Sequence, residues 1–525
     1  MMQRHLLASA AALALTTGAA TADFNLTVLH TNDFHDRYEP ISASDSTCSA
    51  EDNAAGECFG GSARLVSALA DARVRAANSI LVDGGDQFQG TLFYTYYKGA
   101  MTAEFMNKLG YDAMTVGNHE FDDGPEVLAG FMAAVDFPVL MSNADVSMEP
   151  LLAGKLAKST VIETGGEKIG LIGLTPQDTY ELASPGKNVI FTDPVQAVQG
   201  EVDALTARGV NKIIVLSHSG YGVDKKVAAE TSGVDVIVGG HTNTYLSNVA
   251  DAAEGPYPTM VGTTAIVSAY AYGKFLGELN VVFNDAGEIV TATGEPLIMD
   301  KGVAEDEATV ARIAELAVPL EEIRSKVVAE APSAIDGSRE SCRAGECQMG
   351  NLVADAMLAR VKDQGVTIAI ANGGGLRASI DAGPVTMGEV LTVLPFQNTL
   401  STFQVTGAQV LEALENGVSQ VEEGGGRFPQ VAGLQYTFDP AAPAGARVSD
   451  VMVMIGGDAW GPIDPATVYG AVSNNYVRGG GDGYKMFINA ANAYDFGPDL
   501  ADVTAGYLAA NAPYTPFTDG RITRK

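Results

Sequence analysis

Six short aliphatic runs punctuate the first 300 residues of this 525-residue chain. They span 26–30, 80–82, 113–116, 169–174, 213–216 and 236–238, and end in glycine or polar residues, the pattern of buried strands. Helical patterns lie between several of them, as over 63–75 and 195–208. Such alternation restricts the first part of the chain to a layered α/β domain. Over 260–283 the pattern turns to strands alone, so part of the sheet is expected to be antiparallel. A helical stretch follows over 305–331, where Val310, Ile313, Leu316, Leu320, Ile323 and Val327 step by three or four and Pro332 marks the end. We read it as a helix connecting to a second α/β or α+β domain that runs to Lys525. One further helix packed on the first domain has the same pattern.

Residues 1–22 have the form of an export signal. Arg4 and His5 give a short positive start, 6–15 an apolar stretch, and Ala20-Thr21-Ala22 an A-x-A-like cleavage step. No later run approaches the roughly 20 apolar residues of a membrane span, and the polar stretch over 518–525 lacks the apolar tail of a lipid-anchor signal. A soluble periplasmic or secreted protein is expected. The 32 basic and 64 acidic residues leave a net charge of −32. That argues against nucleic-acid polymers and anionic membranes as partners. An anionic ligand would need cations or clustered arginines to reverse the field locally. The four cysteines fall into two near-neighbour pairs, Cys48 with Cys58 and Cys342 with Cys347. In an exported chain two local disulfides are expected. A zinc knuckle would favour two-residue spacing and nearby histidines.

Histidine is sparse: six in the whole chain, with His5 in the leader. Four of the other five stand in strings rich in further metal ligands, namely Asp33-Phe34-His35, Gly117-Asn118-His119-Glu120, Ser217-His218 and Gly240-His241-Thr242-Asn243. These strings, and Gly84-Gly85-Asp86, each follow a strand-like run. In α/β layers the carboxyl ends of neighbouring strands form one rim, where ligands bind. Mixed imidazole, carboxylate and carboxamide donors suit zinc, manganese, iron or cobalt. Two such ions about 3.5–4 Å apart clamp the attacking and leaving oxygens of an in-line phosphoryl displacement. Any one of these histidines alone is better explained as a hydrogen-bonded structural residue. His30, near the end of the first run, is read that way.

The strings Leu29-His30-Thr31-Asn32-Asp33-Phe34-His35, Gly84-Gly85-Asp86-Gln87-Phe88-Gln89-Gly90, Gly117-Asn118-His119-Glu120-Phe121-Asp122 and Gly240-His241-Thr242-Asn243 resemble those of the calcineurin-like metallophosphoesterases. More narrowly, they resemble the 5'-nucleotidase and UDP-sugar hydrolase branch, and the resemblance extends through the second domain. It implies a four-layer α/β/β/α sandwich over 23–304, a connector helix over 305–331 and a smaller C-terminal α/β substrate-binding domain over 332–525. It also implies two divalent metal ions, zinc, manganese or cobalt. Asp33 and His35 would hold the first, Asp86 would bridge, and Asn118, His218 and His241 would complete the second. Asn243 stands where the family often adds a ligand to the first metal. His119 and Asp122 match the family's catalytic dyad, the carboxylate orienting an imidazole that stabilises phosphoryl charge or protonates the leaving oxygen. Arg37 matches a phosphate-contacting arginine of the animal ecto-enzymes.

Three arginines stand out in the second half of so acidic a chain: Arg339, Arg343 and Arg377. Guanidinium gives planar, bidentate contacts to phosphate oxygens. Arg339 and Arg343 flank Cys342, and Arg377 follows Asn372-Gly373-Gly374-Gly375-Leu376, a run that lets backbone approach a ligand. Taken singly, each is better explained as a surface arginine. The family's second domain carries a similar glycine string, whose arginines bind substrate phosphate or carboxylate-like groups. Phe396 and Tyr476 match its base-stacking pair, with Tyr where the animal enzymes commonly have Phe. Stacking contributes about 1–3 kcal/mol per base. Asp482 matches an acceptor from ribose hydroxyls, and Asn372 a base contact. With metals on one domain and a base clamp on the other, neither domain is competent alone. The resemblance places a closing hinge at the connector.

What the resemblance implies is an exported two-metal 5'-nucleotidase that releases phosphate from nucleoside monophosphates such as AMP. The cysteine pairs and Met349-Gly350-Asn351-Leu352 resemble the animal ecto-5'-nucleotidases, whereas Arg339 resembles the bacterial UDP-sugar hydrolases. A broader hydrolase of UDP-sugars or nucleoside di- and triphosphates is therefore the alternative. A nucleotide-binding protein without turnover is the second; its signature would be a missing His119, Asp122 or Asp86, and all three are present. The oligomeric state is not legible in the sequence.

Overall fold

Every one of the six aliphatic runs forms a strand in the computed structural model, which describes residues 23–43, 45, 47–396, 398–456, 459–495 and 497–525. The export signal expected over 1–22 lies outside the described residues. Phe24–Thr31, Ser79–Asp83, Ala113–Thr115 and Val139–Leu140 pair in parallel. Phe275–Phe283 adds antiparallel to Phe24–Thr31 and is followed by Ile289–Gly294. A second sheet runs in the order Thr259–Val261, Thr264–Val267, Val236–Val238, Ile213–Ser217, Glu167–Leu174 and Ser159–Thr164. It is parallel in the middle and antiparallel at both ends. The antiparallel pairing expected over 260–283 is thus split between the two sheets.

The period of two along each strand sorts side chains between layers. Leu26, Val28, Ile80, Val82, Leu171, Leu216 and Val238 fill the space between the sheets. Leu29, Leu81 and Met114 point the other way, onto the helices Ser62–Arg75, Gly99–Leu109 and Gly124–Ala134. On the far side Ile172, Val215 and Ile237 pack against Pro194–Ala207 and Tyr221–Glu230. The order of layers is α/β/β/α, as the resemblance implied.

The second domain is built on a mixed sheet in the order Pro429–Ala432, Val366–Asn372, Val468–Asn474, Leu400–Thr406 and Ala491–Tyr494. The helices Gln348–Val361 and Leu500–Ala510 cover one face. Gly407–Gly417 covers the other, together with a small sheet that includes Leu434–Phe438 and Val448–Gly456. Both cysteine pairs are joined as disulfides, Cys48 to Cys58 and Cys342 to Cys347.

The single connector helix expected over 305–331 does not form. Glu307–Ala317 is helical, with Asp306 accepting from the Thr309 N–H as its cap. The chain tightens to a 3-10 turn at Val318–Leu320 around Pro319, turns once more at Glu321–Arg324, and becomes a strand over Val327–Ala331. That strand pairs antiparallel with Gly383–Thr386. Pro319 interrupts the helical hydrogen bonding, and β-branched Val327 and Val328 favour extended backbone. Ile313, Leu316 and Leu320 belong to the first core, Ala329 and Ala331 to the second, and Ile323 and Val327 are exposed. The hand-over between cores therefore falls between 320 and 329. Arg324 ion-pairs with Glu39 and its guanidinium lies 5.6 Å from the Phe93 ring, which fastens the last helical turn to the first domain.

Candidate active site

The rim of strand ends gathers the expected donors around Asp86. Asp33 and His35 follow Phe24–Thr31, Asp86 follows Ser79–Asp83, and Asn118 follows Ala113–Thr115. His218 follows Ile213–Ser217, while His241 and Asn243 follow Val236–Val238. His218 Nε2 lies 2.8 Å from Asp86 Oδ2 and 3.9 Å from Asp33 Oδ1. His35 Nε2 is 3.9 Å from Asp86 Oδ2 and 4.0 Å from Asp33 Oδ1. Asp86 groups with His35 and His119 on one side and with His218 and His241 on the other, the donor atoms of each group lying within 4.8 Å of one another. One carboxylate thus serves both groups.

Backbone geometry explains how short loops deliver so many donors to one point. Asp33, His35, Asp86, His241 and Asn243 all have positive φ, between 49° and 71°. Non-glycine residues in that region cost about 1–3 kcal/mol each and persist where the surroundings over-determine them, typically at functional sites. Two glycines make room. Gly85 has φ of 89°, and a Cβ there would meet Gly117 N and His218 Nδ1 at 2.9 Å. A Cβ on Gly117 would collide with the Asp86 carboxylate itself.

Hydrogen bonds fix which ring nitrogen faces the centre. His218 Nδ1–H donates to Gly84 O (2.6 Å) and His35 Nδ1–H to Phe88 O (3.0 Å), so both present Nε2 inward. Burial, then the Arg377 guanidinium, holds His35 well below its ordinary pKa; burial, then His218, does the same to His241. Both stay neutral, the form that ligates. Burial alone would raise Asp86, yet the imidazoles of His218 and His119 hold it well below the usual carboxylate range. Burial would lower His218, but Asp86 and Asp33 push it up to about 10. The carboxylates therefore demand positive charge at His218 Nε2. Asn118 Oδ1 and Asn243 Oδ1 are buried without a hydrogen-bond partner. A buried carbonyl oxygen left so costs about 1–3 kcal/mol, and coordination to a cation satisfies it. The donor set fits a pair of divalent ions.

His119 and Asp122 meet as expected from their spacing of three. His119 Nδ1–H donates to Asp122 Oδ2 at 2.6 Å, and His119 Nε2 lies 3.9 Å from Asp86 Oδ2. Burial would lower His119, but Asp122 and Asp86 outweigh it and raise its pKa. His30 stands apart: it is fully buried, its Nε2 is 2.7 Å from the Tyr257 hydroxyl, and burial lowers its pKa to about 3.

A cavity of about 1030 Å³ separates the two domains. Asn118, His119, Asp122 and His241 line its first-domain wall, and Arg339, Arg343, Arg377, Asn372, Phe396, Tyr476 and Asp482 line the other. Arg377 Nη2 donates across the gap to His35 Nε2 at 3.0 Å. Arg37 of the first domain is buried, its Nε and Nη2 without partners among the described residues and its guanidinium 5.2 Å from the Tyr272 ring. None of these four arginines forms an ion pair with a carboxylate among the described residues. Burial, then Arg339, lowers Arg343 well below its usual pKa, a repulsion that a bound anion relieves. In a chain of net charge −32, this is the local reversal of field that an anionic ligand needs.

Asp482 is fixed rather than free. Asn372 Nδ2 donates to its Oδ2 at 2.6 Å, the Tyr476 hydroxyl donates to its Oδ1 at 3.3 Å, and Asn474 Nδ2 orients Asn372 at 2.9 Å. Phe396 lies with its ring on His119, centroids 5.5 Å apart.

Two buried carboxylates that the sequence reading gave no role support the Asp86 loop. Glu120 accepts from the backbone N–H of Gly117 (2.6 Å), Gln87 (2.9 Å), Asp86 (3.1 Å) and Phe88 (3.2 Å). Asp83 accepts from Thr31 Oγ1 (2.5 Å), Gly85 N and Gln87 Nε2 (both 2.8 Å), and burial raises it to about 8. For Glu120 the only signal was its place beside His119 in the motif.

Comparison with known proteins agrees in both halves. A model of calcineurin-like phosphoesterases matches residues 26–245, and a model of the 5'-nucleotidase C-terminal domain matches residues 325–489. The 5'-nucleotidase of Diplobatis ommata is 38% identical over 528 residues, covering 95% of this chain and 90% of its own. That of Rattus norvegicus is 37% identical over 542 residues, covering 98% and 93%. Among solved structures, the 5'-nucleotidase precursor from Thermus thermophilus matches with a TM-score of 0.90 at 42% identity, over 95% of this chain and 99% of its own.

Proposed function

The chain belongs to the 5'-nucleotidase family of calcineurin-like phosphoesterases, and on that premise we propose how its residues release phosphate from nucleoside 5'-monophosphates. It is a metal-dependent phosphoric monoester hydrolase of a family that uses two divalent ions. The observation that carries the reading is Asp86, shared by two donor groups on one wall of a cleft whose other wall holds Arg339, Arg343 and Arg377, none of which ion-pairs with a carboxylate among the described residues.

Asp33, His35 and Asn243 would hold the first ion and Asn118, His218 and His241 the second, with Asp86 contributing to both sets. Two divalent ions so held would supply Lewis acidity and lower the pKa of water at the site. Arg37, Arg339, Arg343 and Arg377 bind the phosphate oxygens and orient the phosphorus in the cleft. Asp122 fixes the His119 tautomer, so that Nε2 points into the site and serves the leaving 5' oxygen. Phe396 and Tyr476 hold the base, Asp482 accepts from ribose hydroxyls, and Asn372 reads the base edge. The catalytic domain ends and the nucleotide-binding domain begins within 321–328, where the chain passes from one core to the other. We place the protein outside the cytoplasm, in the periplasm or secreted, on the form of residues 1–22 and the two disulfides. Among the described residues no helix is long and apolar enough to cross a membrane.

Phosphate release from AMP, ATP and UDP-glucose, assayed side by side with metal-loaded protein, tests this. AMP is expected to be the preferred substrate. Binding of AMP without phosphate release refutes turnover, and equal or faster cleavage of ATP or UDP-glucose refutes the monophosphate preference.

A further inference from the structure

The two domains also meet away from the metal ligands. The short helix Thr179–Leu182 of the first domain packs against the turn Gly481–Gly483 of the second. Lys485 Nζ lies 5.6 Å from the centre of the Tyr180 ring. Tyr180 lines the same cleft as Tyr476 and Asp482, and is 58% exposed.

Each partner is anchored to a functional element of its own domain. On the first-domain side, Thr179 is fully buried and its hydroxyl donates to Pro176 O at 2.7 Å. Ser184 N–H donates to Phe121 O at 3.2 Å, which ties this segment to the turn His119–Phe121 that carries the dyad histidine. On the second-domain side, Lys485 follows Asp482 by three residues. Tyr484 and Phe487 beside it are fully buried and stack, ring centroids 5.6 Å apart, and the Tyr484 hydroxyl donates to Arg427 O at 2.7 Å. The segment 475–487, with Tyr476 and Asp482, is therefore rigid on its own domain. Where it stands relative to His119 and Asp122, which line the same cleft, depends on what it touches across that cleft.

We propose that Tyr180 and Lys485 form a positioning pair that sets Tyr476 and Asp482 over His119 and Asp122. This rests on the nucleotidase reading above. Neither residue touches the reacting atoms; they fix where the nucleoside is held relative to them. A cation on an exposed aromatic ring contributes modestly, equivalent to about a two- to five-fold change in an equilibrium constant.

The test is a double-mutant cycle. Tyr180→Ala and Lys485→Ala are each expected to raise KM for AMP about two- to five-fold. The double variant should be no worse than the weaker single one, and Tyr180→Phe should keep the unaltered KM because it keeps the ring. Turnover of p-nitrophenyl phosphate, which has no nucleoside to position, should not change, and neither should metal content. An unchanged KM in Tyr180→Ala, or effects that multiply in the double variant, overturns the proposal. AMP dissociation constants from calorimetry read the same pair without turnover. Failure of the unaltered protein to release phosphate would therefore count against the nucleotidase reading alone.

Discussion

Phe396 of the second domain stacks on the imidazole of His119 in the first, ring centroids 5.5 Å apart and planes 21° from parallel. The same ring carries the Arg377 guanidinium at 5.7 Å. A residue matched to base stacking thus also covers one face of the His119 ring, whose Nδ1–H donates to Asp122 and whose Nε2 lies 3.9 Å from Asp86 Oδ2. The second domain thus contributes to the surroundings of His119 as well as to the far wall of the cleft.

Phe396→Ala and Tyr476→Ala should therefore differ. On the proposed base-stacking role, both should lose a contact of about 1–3 kcal/mol, about a 5- to 150-fold rise in KM for AMP. Only Phe396→Ala also uncovers His119, so it alone should slow p-nitrophenyl phosphate turnover. Steady-state kinetics with both substrates checks this; identical profiles for the two variants would contradict it.

The dyad itself predicts a rate effect without metal loss. Asp122→Asn leaves the His119 orientation weakly held and should lower kcat about 10²- to 10⁴-fold. Metal content by elemental analysis should stay unchanged. Loss of metal in this variant would place Asp122 among the groups that maintain the metal centre.

Gly117→Ala puts a methyl group into the Asp86 carboxylate. Misplacing a catalytic group by about 1 Å costs about 10²-fold, so activity should fall by at least that factor while the circular dichroism spectrum stays native. Retained activity would show that the Asp86 loop tolerates displacement.

His30 makes a pH-dependent contribution to stability that catalysis does not use. Its folded pKa of about 3 lies below its ordinary 6.5, so the unfolded chain takes up a proton that the folded one refuses. The contribution of neutral His30 is complete above pH 6.5 and is lost as pH falls toward 3, at no more than about 1.4 kcal/mol per unit. His30→Gln should show a shallower decline of denaturation midpoint between pH 6.5 and 4.5 than the unaltered protein. Parallel curves would contradict the assignment.

The rim of the first domain was legible because buried strands leave unbroken aliphatic runs and the donors sit just past them. Leu81 and Val82 face opposite cores, yet both read as apolar, so the runs located strands without revealing that two sheets share them. The break in the connector is hidden from the sequence for a physical reason. Leu316 and Leu320 serve a helix and Ala329 and Ala331 a strand, and an apolar step of three or four runs through both. Glu120 escaped because its partners are backbone N–H groups 32 to 34 residues earlier as well as Gly117 beside it. Tyr180 and Lys485 escaped because they lie 305 residues apart on different domains, and only the packing of one domain on the other brings them together.

The central claim is that Asp86 joins two metal ions into one hydrolytic centre. Asp86→Ala, prepared alongside the unaltered protein, should be measured for bound metal and for phosphate release from AMP on the same samples. The unaltered protein is expected to hold two divalent ions per chain, and the variant to hold fewer and to release no phosphate. Full activity in the variant would contradict the account.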